Sequence, residues 1–427
     1  MTLVFLISLI IIFLGFSLVF VVRSKALKKR VIKKVRLMNI SASGKWTNAF
    51  LEEKRKHTDA LADNTVQEIM AKNEKTRVNH LFEHIVSNRD HLPGDAPEEL
   101  KEYFAKTSVL PAWADPDLIA LGQQIYIRHG IWISLLLSYK SLPECYACAK
   151  GAEVLHRTAR LNEQHGSMET YSRRIAETAR FVMLAMSPGG LSPQGEGFVA
   201  AQKVRLIHAV IRYYLRQQQW DTDRYNEPIN QEDMAGTLMS FSALILLGME
   251  QLGIELEPVE KEAYIHCWRV IGHIAGLKDD MIPENAADAI QQGINILNHQ
   301  KVRSEQGSSL MKALLEFQNK KSSMLMSPRT NIAMMRLMMG HELSDLLDVP
   351  EIEQKEIDKL RSKIRKIARV MEIMDHSLVL AMLLQFMTKL ISRYIVNSMT
   401  KSKIINFYIP KSLKKDWGVA TSKRDVA

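Results

Sequence analysis

The chain has 427 residues, 46% hydrophobic and 24% charged, a globular composition long enough for one large or two ordinary domains. Its formal net charge of +10 is concentrated at the ends. Residues 23–36 hold eight Lys and Arg with no acid, and residues 401–427 hold seven against Asp416 and Asp425, so the remainder is slightly acidic. That excludes a basic nucleic-acid footprint spread over a folded face, and three cysteines exclude a disulfide framework.

Residues 2–22 run for 21 residues without a charge, about the length that crosses a bilayer as one helix. Nothing basic precedes them and no small-residue cleavage site follows, so they read as an uncleaved transmembrane anchor, residues 1–22, rather than a signal peptide. The basic cluster follows the span, which puts residues 23–427 on the cytoplasmic side and gives the cluster an attraction for anionic head groups. Residues 23–109 read as a basic juxtamembrane segment and a polar, helical spacer, with a breaker cluster at His91–Pro97.

From 110 to 300 the pattern predicts long apolar helices over 117–139, 145–160, 168–186, 198–217, 231–253 and 257–275. Leu142-Pro143, the segment Pro188–Gly197 and the segment Asp221–Pro228 separate them. Residues 301–427 read as a C-terminal helical extension with a basic tail. Within it Leu378–Ile391 is apolar but short and carries Gln385 and Lys389, which suits a packed or interfacial helix better than a second span. Strand alternation is scarce. The expected fold is all-α, a multi-helix bundle behind one N-terminal span, and the 22 methionines suit an adaptable helical core.

Cys145 and Cys148 form a C-x-x-C followed by Ala149 and Lys150. Without a His after the second Cys it is not a covalent haem site, and without a second pair it is not a zinc site; a redox dithiol and two packed thiols both remain open. Glu153 and His156 make one Glu-x-x-His, where a di-iron bundle needs two.

One helical hairpin stands apart. Its first helix carries Arg174, Glu177 and Thr178; its second carries Arg205, His208 and Arg212; between them SPGGLSPQGEG (187–197) must be a loop. Thr178 lies ten residues before Pro188 and His208 eleven after Gly197, so at about 1.5 Å per residue they stand at nearly the same level in an antiparallel pair. Arg174 and Thr178 share a face, as do His208 and Arg212. A wide loop would let the helices splay and admit a flat cofactor. A His among Val204, Ile207, Val210 and Ile211 is either a satisfied core residue or a ligand. A buried Arg on the same face needs an anionic partner.

The pattern R-x-x-x-T, then V-R-x-I-H-A-x-x-R, resembles the haem-binding core of rubber oxygenases (latex clearing proteins) and their ER-bound, MpaB-type relatives. The stretches from Pro228 to Thr237 with Phe241-Ser242, and from Tyr264 to Gly272 with Leu277–Asp280 and Pro283, resemble the helices that follow. The likeness covers residues 120–300. It implies a b-type haem in the 110–300 domain, with His208 as the proximal iron ligand and Arg174, Thr178, Arg212 and Thr237 holding the cofactor. It also implies O2 as co-substrate. Where the rubber oxygenases carry a Lys before the Thr, this chain has Glu177, a candidate distal acid–base group beside Thr178. Their catalytic carboxylate does not map cleanly; Glu153 and Glu163 are the nearby candidates. The rubber oxygenases are secreted and this chain reads as anchored, which is closer to the MpaB type and puts polyisoprene itself in doubt as the substrate. The expected function is a membrane-anchored haem oxygenase acting on a hydrophobic, lipid or prenyl-like substrate by oxidative C=C cleavage. The alternatives are a tethered helical haem-binding or interaction protein without catalysis, and a haem peroxidase.

Overall fold

The computed structural model describes residues 23–72, 96–158, 168–193, 195–322 and 326–375. The apolar segment 2–22, the breaker cluster up to Asp95, Glu163 and Leu378–Ile391 lie outside the described residues. Among them all regular secondary structure is helical, apart from an isolated bridge between Cys148 and Lys301. In chain order the helices are α1 (residues 23–35), α2 (Asn48–Lys54), α3 (Ala60–Ala71), α4 (Glu98–Thr107) and α5 (Pro116–Leu136). A π-helical turn (Leu137–Ser141) leads to α6 (Leu142–Ala147), α7 (Ala149–Arg157), α8 (Met168–Ala185), α9 (Glu196–Gln217) and the short α10 (Thr222–Tyr225). Then come α11 (Gln231–Phe241), α12 (Ala243–Gln251), α13 (Pro258–Ile274), α14 (Ala286–Gln300), α15 (Glu305–Ser322), α16 (Pro328–Leu346) and α17 (Gln354–Asp375).

Local chemistry sets the starts. Asp115 caps α5 by accepting from the Asp117 and Leu118 amides, with Pro116 at the first position. Asp59, Asn230 and Asn285 cap α3, α11 and α14 in the same way. The central pair is α5 against α13, and Gly122 permits their approach: a Cβ there would stand 2.2 Å from the Ala263 carbonyl oxygen. One core cluster takes in α5, α8, α12 and α13 together with Leu310, Leu314, Met335 and Ile364. Helices α15–α17 therefore complete the main core; they are not an appended extension.

Two further sequence expectations change. Residues 45–72 of the polar stretch are not a spacer. Trp46, Leu51 and Ile69 are fully buried, and Arg55, Asp59 and Asp63 pair with α9 and α11. The basic segment does not hang free either. Leu27, Val31 and Val35 of α1 pack into the main core, while Lys28 reaches Glu257 and Glu260, Arg30 reaches Asp117, and Lys34 reaches Asp115 and Asp117. Arg30 and Lys34 hold the Asp117 carboxyl down at about 2. A depressed carboxylate contributes stability above its ordinary value of about 4 and loses it as the pH falls through the folded value. Protection of the α1 amides, taken as exchange relative to the unfolded chain at the same pH, is therefore expected to be high at neutral pH and to fall as pH drops from about 4 toward 2.

Among the described residues one helical stretch, Gln231–Gln251, is long and apolar enough to cross a membrane. Two thirds of its most apolar part is buried inside the protein, and the backbone breaks at Ser242 (φ −129°, ψ −80°), which divides α11 from α12. These are core helices.

Candidate functional site

The hairpin forms as α8 and α9, but its loop is tight. Gly190 N–H donates to the Ser187 carbonyl, Gly195 N–H to Ser192, and Phe198 N–H back to Gly190. Gly189 takes φ +77°, a conformation that favours glycine. The helices touch where α9 starts: a Cβ on Gly197 would lie 2.3 Å from the Ala185 Cα. The expected wide loop is thus corrected to a closed end. Gly197→Ala should cost about 1–3 kcal/mol, because backbone must move. A chemical-denaturation midpoint identical to the parent's would show that the helices do not meet there.

Ala185, Phe198 and Ala201 are buried, whereas Thr178 and Arg174 on α8 and Val204 and His208 on α9 are only half-buried. From the contact at Ala185 and Gly197, Arg174 and His208 each lie eleven residues along their helices, about 16 Å at 1.5 Å per residue. The hairpin thus has a close backbone contact at its loop end, and Arg174 and His208 are half-buried some distance from it. Glu177 is 1% exposed, and its carboxylate is 3.6 Å from the Arg174 guanidinium, which keeps a quarter of its side chain exposed. The Thr178 hydroxyl donates to the Arg174 carbonyl at 3.0 Å.

Arg205, Arg212 and Arg216 of α9 turn to α3, pairing with Asp59 or Asp63. His208 lies between that face and the stripe turned to α8. Arg212 is fully buried; its Nε donates to Asp63 at 2.6 Å and Nη1 to the Ile229 carbonyl at 3.2 Å. Its charge is thus already compensated by Asp63, so its burial alone does not require a bound carboxylate. Its Nη2, however, is enclosed with no hydrogen-bond partner, and burial lowers the guanidinium pKa despite Asp63 and Asp59. Thr237 is exposed on α11; its hydroxyl donates to the Asp233 carbonyl and lies within reach of the Cys145 thiol.

Residues missed from sequence complete the surroundings. The buried phenols of Tyr146 on α6 and Tyr171 on α8 stand 3.4 Å apart, and Phe317 on α15 packs 5.4 Å from Tyr171. Burial raises the Tyr146 pKa and the Arg174 charge opposes it, which puts Arg174 in the electrostatic reach of that pair. Glu153 is buried on α7; one oxygen accepts from Arg157 Nε at 2.7 Å and the other, Oε2, is enclosed without a partner. Its neighbour Val154 packs with Leu206, Ile207 and Val210 of α9. No sequence signal joins Tyr146 or Phe317 to the hairpin, because both contacts cross long stretches of chain.

The other candidates are structural. His266 Nε2 accepts from the Asp115 amide at 2.8 Å, and its pKa falls to about 4 through burial. Cys145 and Cys148 are free thiols, with burial pushing Cys145 up to about 12. Among the described residues no three His, Cys, Asp or Glu side chains group into a metal centre. A haem iron needs only one side-chain ligand.

The profile of the ER-bound oxygenase mpaB/B′ and rubber oxygenase catalytic domain matches residues 146–373, more than half of the chain. The chain belongs to this family. The match starts at Tyr146 and runs through α17, so it takes in the helices beyond residue 300. A rubber oxygenase from Streptomyces sp. (strain K30) is 28% identical over 297 residues, covering 68% of this chain and 70% of that protein. The solved structure of latex clearing protein LCP in the closed state superposes with a TM-score of 0.63 at 22% identity. It covers 82% of this chain and 92% of that one, a likeness of fold.

Proposed function

We propose that this protein is a haem-dependent oxygenase, held at a membrane by residues 1–22, that cleaves C=C bonds in a hydrophobic, prenyl-like or lipid substrate with O2. The observation that carries the reading is the hairpin. His208 and Arg174 each lie eleven residues from the Ala185–Gly197 contact, at half-buried positions of two antiparallel helices. Family membership and the rubber-oxygenase relative support oxygenase chemistry on a polyisoprene-like hydrocarbon.

The donor set fits a b-type haem. His208 supplies one imidazole; Arg212 supplies an enclosed Nη2 without an acceptor, and Arg174 a partly exposed guanidinium, for the two propionates. When bound, the haem iron supplies the activation of O2. The protein's own part is binding, orientation and exclusion of water. Asp63 and Ile229 fix the Arg212 guanidinium on the α3 side of α9, one turn along the helix from His208. Glu177, buried against Arg174, is placed to hold a proton beside Thr178, and Glu153 Oε2 is a second buried carboxylate oxygen on the neighbouring helix. Apolar side chains of α9 keep the surroundings dry. The anchor would hold the domain where apolar substrates dissolve.

One C=C bond plus one O2 gives two carbonyls, so both oxygen atoms enter product and no external reductant is required. The test is O2 uptake by the full-length, haem-loaded protein on polyisoprene and on shorter polyprenyl alkenes, with carbonyl products counted. Equal amounts of O2 consumed and C=C lost are expected. Haem binding without O2 uptake on any alkene would leave a tethered haem-binding protein instead.

A further inference from the structure

Two amphipathic helices flank the same connection of the bundle. Lys28 of α1 bonds to Glu257, and the Arg365 guanidinium of α17 donates to the Gln251 carbonyl at 3.3 Å, so both flank the connection between α12 and α13. Both bury apolar faces in one core, Leu27 and Val31 from α1 and Ile364 and Ala368 from α17, together with Ile254 and Leu256 of that connection.

Their outer faces share a chemistry. The inward cations of α1 are consumed by Asp115, Asp117, Glu257 and Glu260, but Lys25, Lys29, Lys33 and Arg36 recur at four, four and three residues, one outward stripe. None of them has an acidic partner among the described residues. Just beyond stand Leu37, 90% exposed, and Ile40, 53% exposed. On α17, exposed Lys363, Lys366 and Arg369 surround Ile367 and Val370, 44% and 56% exposed. Cations beside bare aliphatic side chains on a helix face match a lipid head-group layer, where the charge meets phosphate and the aliphatics enter the acyl boundary. A nucleic acid offers nothing to those aliphatics, and the rest of the chain is slightly acidic. Each helix also adjoins an apolar stretch of sequence, residues 2–22 before α1 and residues 378–391 after α17.

We propose that the outer faces of α1 and α17 form a docking surface for an anionic phospholipid bilayer, which presents this end of the bundle to the membrane. The proposal rests on the membrane reading above only for the presence of a bilayer; it names the surface and the lipid charge. Because these cations make no ion pair among the described residues, reversing them leaves the contacts described above intact.

The test is flotation of the full-length protein with phosphatidylcholine vesicles, with and without phosphatidylserine, at low and high salt. Neutral vesicles give the baseline from apolar insertion. Phosphatidylserine is expected to raise partitioning about tenfold or more at low salt. The variant K25E/K29E/K33E/R36E should lose most of that increment, and K363E/K366E a smaller part, with unchanged helicity by circular dichroism. No phosphatidylserine effect on the parent, or an effect that both variants retain, would overturn the proposal. So would variants that lose duplex nucleic-acid binding while vesicle binding stays the same. A lost lipid increment with O2 uptake absent in parent and variants alike would sink the oxygenase reading and leave this surface standing.

Discussion

Replacing Arg55 with methionine is expected to cost the fold about 3–5 kcal/mol, the usual penalty for breaking a buried ion pair from one side. Arg55 is fully buried. Its Nη1 donates to Glu232 at 3.0 Å and Asp233 at 2.8 Å, its Nε to Asn226, and its Nη2 to the Tyr225 carbonyl. Burial alone would lower its pKa, but Asp233 and Glu232 outweigh that and raise it. Glu232 is itself fully buried and held by His299 at 2.7 Å and by Gln300 at 3.0 Å. Without Arg55 both carboxylates stay enclosed with no cation, and α2 loses its grip on α11. Urea denaturation with equal slopes for parent and variant measures the difference. A loss under 1 kcal/mol would mean that the network does not hold the two helices together. The exposed pair of Lys101 and Glu98 is the contrast: its removal should change stability by less than about 0.5 kcal/mol.

The second large effect is on turnover. His208→Ala should lower O2-dependent product formation roughly a hundredfold or more. Losing even an outer partner of a metal ligand costs 10–100-fold, and losing the ligand itself costs at least as much. The change also removes half-buried side-chain volume between α8 and α9, so imidazole added to the solution has room to enter and should restore part of the rate. Full activity in the alanine variant would assign the iron to another residue. Zero rescue together with a lower denaturation midpoint would point to a packing role for His208.

Much of the fold was legible because its signals are local. The hairpin helices begin and end within about two residues of where Pro188, Gly189 and Gly197 put them, and caps such as Asp115 and Asn230 sit directly before their helices. What failed to show was long-range. Asp63 neutralises Arg212 across 149 positions, so the sequence offered a buried Arg and no partner. Helices α2 and α3 looked like a solvated spacer because their burial rests on a few apolar side chains and on Arg55, Asp59 and Asp63, whose charges are satisfied only by α9 and α11. The breaks at Ser242 and Cys148 carry no Gly or Pro, so nothing local announced them. The closed end of the hairpin was misread for a related reason. Glycines signal a loop, and only the packing partner, Ala185 against Gly197, says whether they make it wide or tight.

For the site itself, the order of Arg174, Glu177, Thr178, His208 and Arg212 along two helices was readable, but the level was not: loop length set Thr178 opposite His208, whereas the contact of Ala185 with Gly197 sets Arg174 there, one turn away. The contacts among Tyr146, Tyr171 and Phe317 were not readable either, since aromatic residues at helical spacing look the same whether they line a core or a cofactor site.

The most direct measurement is the absorption spectrum of the full-length protein purified with haem supplied, beside His208→Ala. The account predicts a Soret band in the parent that is lost or strongly shifted in the variant. A colourless parent that takes up no haem, or a band identical in both proteins, would contradict it.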